Sequence, residues 1–392
     1  MSEARSLFEV CSHWLARSGI VAPNGGVYDG YDTARRVYPR LYSEITGYAV
    51  SVFLRLAAWT GEAAHLERAR RSGDYLCKLQ RRSGELGEGA VAHCVPHGST
   101  RPCDESFTFD AGMILQGLCE LAACEGDARY VQAAHDAARW LLGFQEKDGG
   151  FRARRRLGGG DRYQVPTFES DYGCLHVKLA VGLLRAADLT GDGSFAAAAR
   201  LVCEWGLGLQ APDGAFWANV RRTHVFAHAH CYATEGLLFA AHRLREPRYA
   251  RAAEKAGRWL LQAQDDQGAL RQYYKGHPRG PLRWRVECLA PALVSDATAQ
   301  AVRIWRTLDA QTGDPAFREG AERALRYLQS VQIKRPDEPR INGALWYRIR
   351  PVARTRWHGP MVYSWPVMFA LAASRYASDV ALDETAMCEA LF

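Results

Sequence analysis

A chain of 392 residues with a formal charge of +7, 48% hydrophobic and 24% charged residues has the balance of a globular protein able to bury a large core, which excludes disorder. That charge is too small for this length to point to nucleic acid as a partner. No Pro/Ser-rich linker, low-complexity tract or block of like charge interrupts the chain, so a single domain over residues 1–392 is expected.

The N-terminal "MSEARSLFEVCSHWLARSGI" has acidic residues near its start and no continuous apolar run. It therefore reads as neither a secretory signal nor a membrane span, and a cytoplasmic location without membrane contact is expected. The eleven cysteines are scattered singly without a Cys-x-x-Cys pair, the usage of small buried apolar residues in a reducing compartment.

From residue 41 onward one four-part unit recurs. An apolar helix closes on a tight turn, as in "AAWTGEAAHL", "ACEGDARYV", "ADLTGDGSF", "RLREPRYA" and "DAQTGDPAF". A second helix, rich in Ala and Arg, runs to a Gln: "RSGDYLCKLQ", "AARWLLGFQ", "CEWGLGLQ", "AGRWLLQAQ" and "ALRYLQSVQ". A Gly-centred segment follows ("GELGEG", "GGFRAR", "GAFWAN", "GALRQY", "GALWYR"), then a long irregular connection into the next apolar helix. The N-terminal segment fits a second helix with its Gly segment, and the C-terminal "MVYSWPVMFALAASRYA" fits a first helix without a partner. Joined, the two ends make a sixth hairpin.

Complementary ends are what a closed ring requires, whereas an open solenoid needs polar caps at both ends. The expected fold is all-α: an (α/α)6 toroid with the apolar helices inside and the Ala/Arg-patterned helices outside, the first outer helix pairing with the last inner one. Long connections gathered on one face carry function more often than short turns do. The starts of the inner helices lie on that face.

Those starts read "YSEITGY", "DESFTFDAGM", "FESDYGCLH", "HVFAHAHCYATEG", "VSDATAQ" and "GPMVYSW". Glu44, Asp110, Asp171 and Asp296 form a candidate catalytic set, because a carboxylic acid and a carboxylate across a cleft are what glycosyl transfer needs. A His or Tyr could instead take a proton from a sugar carbon. Acidic residues in a first turn also serve as caps and dipole partners, and Ser43 could cap beside Glu44. Tyr42, Tyr48, His228, His230, Arg285, Trp357, Tyr363 and Trp365 are the candidate substrate contacts, combining aromatic faces with polar tips. Arginines among the long connections suggest an anionic ligand, since guanidinium pairs such groups bidentately. The clusters "HCVPHGSTRPCD" and "THVFAHAHCYATE" match no defined zinc spacing, so neither a metal nor another cofactor is expected.

With Gln145 to Gly149 and Gln210 to Gly214 repeating after successive outer helices, the chain resembles the (α/α)6 toroid superfamily over nearly its whole length. That superfamily includes glycoside hydrolases, polysaccharide lyases, sugar epimerases and terpene cyclases. "YSEITGY", "HAHCYATEGLL" and "DATAQAVRIW" look like segments of toroid proteins associated with bacterial polysaccharide biosynthesis. The departures matter as well. "VSDATAQ" has a single Asp where class II terpene cyclases use Asp-x-Asp-Asp, and Asp-rich magnesium motifs are missing. The resemblance implies a carbohydrate-active enzyme, first a glycoside hydrolase on a uronate-type sugar or oligosaccharide. A lyase or epimerase is the alternative, ahead of a terpene-cyclase-like isomerase or a non-catalytic binding protein.

Overall fold

A computed structural model describes residues 6–82, 84–156, 173–274, 292–352 and 355–378. Among them are twelve α-helices: α1 (Leu7–Arg17), α2 (Ser43–Thr60), α3 (Ala63–Arg82), α4 (Thr108–Glu125), α5 (Ala128–Leu142), α6 (Leu179–Thr190), α7 (Gly193–Leu207), α8 (Ala227–Leu244), α9 (Pro247–Ala263), α10 (Ser295–Thr312), α11 (Pro315–Ser330) and α12 (Ser364–Ser378). The even-numbered helices pack on one another in cyclic order, α12 closing against α2, while α1 packs on α12. The expected toroid is thereby present, with its chain ends joined as anticipated.

The inner and outer helices differ in how much of their surface is apolar. In α4 the run Thr108–Cys119 is buried without interruption, as a helix surrounded by protein on all sides must be. In α9 only Tyr249, Ala252, Ala253, Ala256, Gly257, Trp259 and Leu260 are buried, the single stripe of a helix with one face to solvent. Each inner-to-outer turn is two residues long, and four of the five place a glycine in the left-handed region, such as Gly61 at φ +71°. The next residue can then cap the outer helix: Asp127, Asp192 and Asp314 accept from the N–H two residues on.

The recurring Gln has a physical role in the ring. Gln145 Nε2 donates to the Gly149 carbonyl at 3.1 Å and to the Ala198 carbonyl of the next outer helix at 2.9 Å. Gln210 and Gln264 make the same pair of bonds, and Gln80 makes the equivalent pair to the carbonyls of Gly89, nine residues on, and Ala133. Gly149, at φ +98°, packs so closely that a Cβ there would lie 2.5 Å from the Leu201 carbonyl, so only glycine fits. Each Gln-x-x-x-Gly segment thus clips one hairpin to its neighbour.

On the opposite rim, short antiparallel strands lace successive connections together. β2 (Arg40–Tyr42) pairs with β3 (Cys94–Pro96), β4 (Glu105–Phe107) with β5 (Arg154–Arg156), and β6 (Val225–Phe226) with β8 (Tyr273–Tyr274). β9 (Leu293–Val294) pairs with β7 (Leu270–Arg271) and with β10 (Arg348–Val352), and β12 (Met361–Tyr363) returns to β1 (Gly30–Asp32). The strand leading into an inner helix therefore binds the connection of the next unit, and the last such pair shuts the ring. No helix among the described residues is long and apolar enough to cross a membrane.

Candidate active site

At the start of the inner helices a small pocket with a volume of about 40 Å³ is lined by Tyr42, Glu44, Ile45, Phe226, His228, Tyr232, Asp296, Tyr347 and Trp365. Four of these residues share one helical address. Glu44, His228, Asp296 and Trp365 are each the second residue of their helix, in α2, α8, α10 and α12. The preceding residues Tyr42, Phe226 and Val294 supply no side-chain cap, and Ser43 donates to the His93 carbonyl at 2.9 Å. The expectation that Ser43 caps α2 is corrected accordingly: strand pairing, rather than a polar cap, brings the chain into the helix.

The fourth helical residue faces the other way, because two residues turn an α-helix by about 200°. Thr46 and Thr298 there accept from the backbone N–H groups of Val27 and Leu270 at 3.0 Å, tying the inner helix to the Gly segment. His230 occupies the same position in α8. Its Nδ1 accepts from Phe216 N–H at 3.0 Å and its Nε2 donates to the Ala256 carbonyl at 3.2 Å. Burial lowers its pKa to about 4, so it is a neutral structural group. His230 as a substrate contact is thus overturned: both ring nitrogens are engaged by backbone away from the pocket.

Below the first layer, positions four and seven residues on fall beneath it. Tyr48 and Tyr232 lie there, the Tyr48 hydroxyl bonded to that of Tyr232 at 2.8 Å. Tyr48 is therefore a buried support for Tyr232, which itself lines the pocket, and not a lining residue as expected. Both phenols are pushed well above their ordinary pKa, by burial first, and the negative charge of Glu44 adds to the effect. Gln300 lies below Asp296, while Glu235 and Arg303 lie one turn deeper.

Asp296 collects N–H donors. Its Oδ1 accepts from Ala297 N–H at 2.6 Å, its Oδ2 from the Trp365 indole at 3.2 Å, and His228 Nδ1 is 3.5 Å from Oδ2. Tyr347 stands over this group, its phenol raised by burial and then by the Asp296 charge. Tyr363 packs with Tyr347 and Trp365 at ring separations of 5.2 and 4.3 Å, forming an aromatic rim behind the pocket wall.

Asp110 takes a different direction. It is the third residue of α4, rotated about 100° from the second, and its Oδ2 meets His93 Nδ1 at 2.7 Å. Arg40 donates to His93 Nε2 at 3.2 Å and to Asp29 Oδ2 at 2.8 Å. Arginine can only donate, so Nε2 accepts and Nδ1 carries the proton toward Asp110. The His93 ring lies 4.6 Å from Tyr42, so Asp110 stands behind the pocket wall. Of the four expected carboxylates, Glu44 and Asp296 line the pocket together; Asp171 and Arg285 fall outside the described residues, as does the side chain of Trp357 on β11 (Thr355–His358).

Sequence reasoning did not single out Tyr232, Ile45, Phe226 or Gln300. A signal was present: His228, Tyr232 and Glu235 in α8, and Asp296, Gln300 and Arg303 in α10, repeat at i, i+4 and i+7. Such spacing places all three on one helix face.

No protein-family model matches the chain, and no curated protein matches it in sequence. Among solved structures, a sugar epimerase from a ruminal bacterium superposes with a TM-score of 0.69 over 94% of this chain and 98% of its own, at 15% identity. A D-mannose isomerase gives a TM-score of 0.70 over 95% and 96% of the two chains at 12% identity. An unsaturated glucuronyl hydrolase from Bacillus sp. GL1 gives 0.65 over 93% and 96% at 15% identity. At these identities the likeness establishes the architecture: the chain is an (α/α)6 toroid.

Proposed function

We propose that the chain is a carbohydrate-active enzyme that hydrolyses a glycosidic bond of an anionic sugar in this pocket. The observation that carries the reading is the convergence of Glu44 and Asp296, from the two helices α2 and α10 that flank α12, on one aromatic-walled pocket. Two carboxyl groups around one sugar supply the general acid and the base or nucleophile of glycoside hydrolysis. Asp296 accepts N–H bonds at both carboxylate oxygens, while Glu44 is set beside Ile45 and the tyrosines. Trp365 and Tyr347 offer faces for a pyranose ring. Support for an anionic substrate comes from Arg40 over the Tyr42 ring at 5.0 Å and Arg348 over the Tyr347 ring at 5.2 Å, cations backing two lining residues. Similar folds among sugar epimerases, sugar isomerases and glucuronyl hydrolases are consistent with this class of substrate.

A second reading rests on His228. An imidazole beside a carboxylate can take a proton from a carbon next to a carbonyl, the step that epimerisation or isomerisation requires. Incubation with uronate disaccharides, cellobiose and mannose in D2O, followed by NMR, separates the readings. Hydrolysis yields two sugars without deuterium on carbon, whereas epimerisation yields an isomer carrying it. Glu44→Gln and Asp296→Asn each lower turnover by about 10²-fold or more under the hydrolytic reading. Full activity in both variants would refute it.

A further inference from the structure

Beneath the pocket lies a charged network with almost no solvent contact. Glu235 Oε1 accepts from Arg303 Nη2 at 2.6 Å, and its Oε2 accepts from Lys178 Nζ at 3.0 Å and from Gln300 Nε2 at 3.3 Å. Lys178, Glu235, Gln300 and Arg303 are each fully buried. On its other side Gln300 presents Oε1 to His228 Nδ1 at 2.6 Å.

The chemistry of these partners fixes the direction of every bond. A carboxylate between two cations only accepts, so the side of Gln300 that meets Glu235 must be its NH2 group. The amide oxygen then faces His228, and an amide oxygen also only accepts. His228 Nδ1 must therefore donate. The second group near Nδ1, Asp296 Oδ2 at 3.5 Å, is an acceptor as well and imposes the same demand. With the proton on Nδ1, a neutral His228 carries its lone pair on Nε2.

We propose that Gln300, oriented by the Lys178–Glu235–Arg303 network, is a positioning residue that holds His228 in the Nδ1–H tautomer, making Nε2 the proton acceptor of the pocket. For its purpose, though not for its geometry, this assignment rests on the second reading above, in which His228 takes a proton from a sugar carbon. The buried ions thereby acquire a role. A neutral amide alone could rotate by half a turn and offer NH2 to His228, which would favour the opposite tautomer. The anchored carboxylate prevents that rotation. Gln300 touches His228 and does not itself line the pocket, so its effect on chemistry passes through the imidazole.

The test is the tautomer itself, read by nitrogen-15 NMR of the histidine rings in the complete, substrate-free chain at pH 8. The His228 signal is identified by its loss in His228→Gln. In the wild type it shows a protonated Nδ1 and an unprotonated Nε2. Gln300→Leu removes the acceptor and raises the Nε2–H population. The exchange variant Glu235→Gln/Gln300→Glu returns an acceptor to Nδ1 and restores the wild-type pattern. Finding Nε2–H in the wild-type protein overturns the proposal, as does an unchanged tautomer in Gln300→Leu. On a substrate that the pocket turns over with His228 as base, Gln300→Leu lowers kcat by about 10²–10⁴-fold while KM stays within a factor of two or so. Because the spectrum needs no substrate, failure to turn over any sugar counts against the proposed function alone.

Discussion

Replacing Glu235 by Gln removes the anion from a buried group that contains two cations. Arg303 Nη2 at 2.6 Å and Lys178 Nζ at 3.0 Å both lose their charged partner, and neither side chain has solvent to turn to, each being 0% exposed. Burial already pushes the Lys178 ammonium down to about 8 against the pull of Glu235. Breaking a buried ion pair by removing one partner costs about 3–5 kcal/mol, because the remaining charge is left uncompensated. Unfolding entropy of about 2.1 cal/mol/K per residue gives about 0.8 kcal/mol per kelvin for 392 residues. Glu235→Gln is therefore expected to lower Tm by about 4–6 °C in calorimetry. Glu254→Gln serves as control: its pair with Arg258 at 2.8 Å lies on the surface of α9, where an i,i+4 bridge contributes about 0.3–0.5 kcal/mol. If Glu235→Gln melts no lower than Glu254→Gln, the network is not a compensated ion cluster and the reasoning fails. Replacing Lys178, Glu235 and Arg303 together by Met, Leu and Met removes charge and counter-charge at once and is expected to cost far less than the single change.

Two further outcomes rest on neighbouring groups. His230 is held neutral, its pKa lowered by burial to about 4 from the ordinary 6.5, so between those values the unfolded chain binds the extra proton. Stability is then complete above pH 6.5 and falls as pH drops toward 4, by about 3 kcal/mol for this group. His230→Thr, which installs the residue found at the same position in α2 and α10, should flatten that part of the curve in urea titrations, and an unchanged slope would contradict the neutral assignment. The Cys103 thiol is lowered to about 6, chiefly by a hydrogen bond from the Cys94 thiol and with help from the Cys94 backbone N–H, 3.2 Å from its sulfur. The exposed Cys124 thiol is raised by partial burial and by Glu125. At pH 7 iodoacetamide should therefore modify Cys103 before Cys124, since the thiolate is the nucleophile; peptide mass spectrometry showing the reverse order would exclude the Cys94–Cys103 interaction.

The hairpins, their order and the closure of the ring were legible in the sequence because their signals are local. An apolar run of helical length, a Gly-Asp turn and a Gln-x-x-x-Gly segment each act within a few residues of chain. Repetition of those signals, with complementary ends, leaves a ring as the arrangement that buries every apolar helix. Glu44, Asp296, His228 and Trp365 were recognisable as rim residues for the same reason, since each lies at the start of an inner helix.

Which of these neighbours looks into the pocket was decided by tertiary structure. His228 and His230 are two residues apart in one sequence motif, yet one lines the pocket and the other binds the backbone of the outer wall. Asp110 carries the same chemistry as Asp296, but one extra residue before it in α4 turns it toward His93. Composition cannot distinguish these cases, because about 100° of helical rotation per residue separates a pocket group from a structural one. The rotation itself is set by where the rim strands deliver the chain into each helix, a contact between units distant in sequence. The sequence by itself determined the toroid and the ring of acids, histidines and aromatics at its mouth; packing between hairpins chose the members that meet.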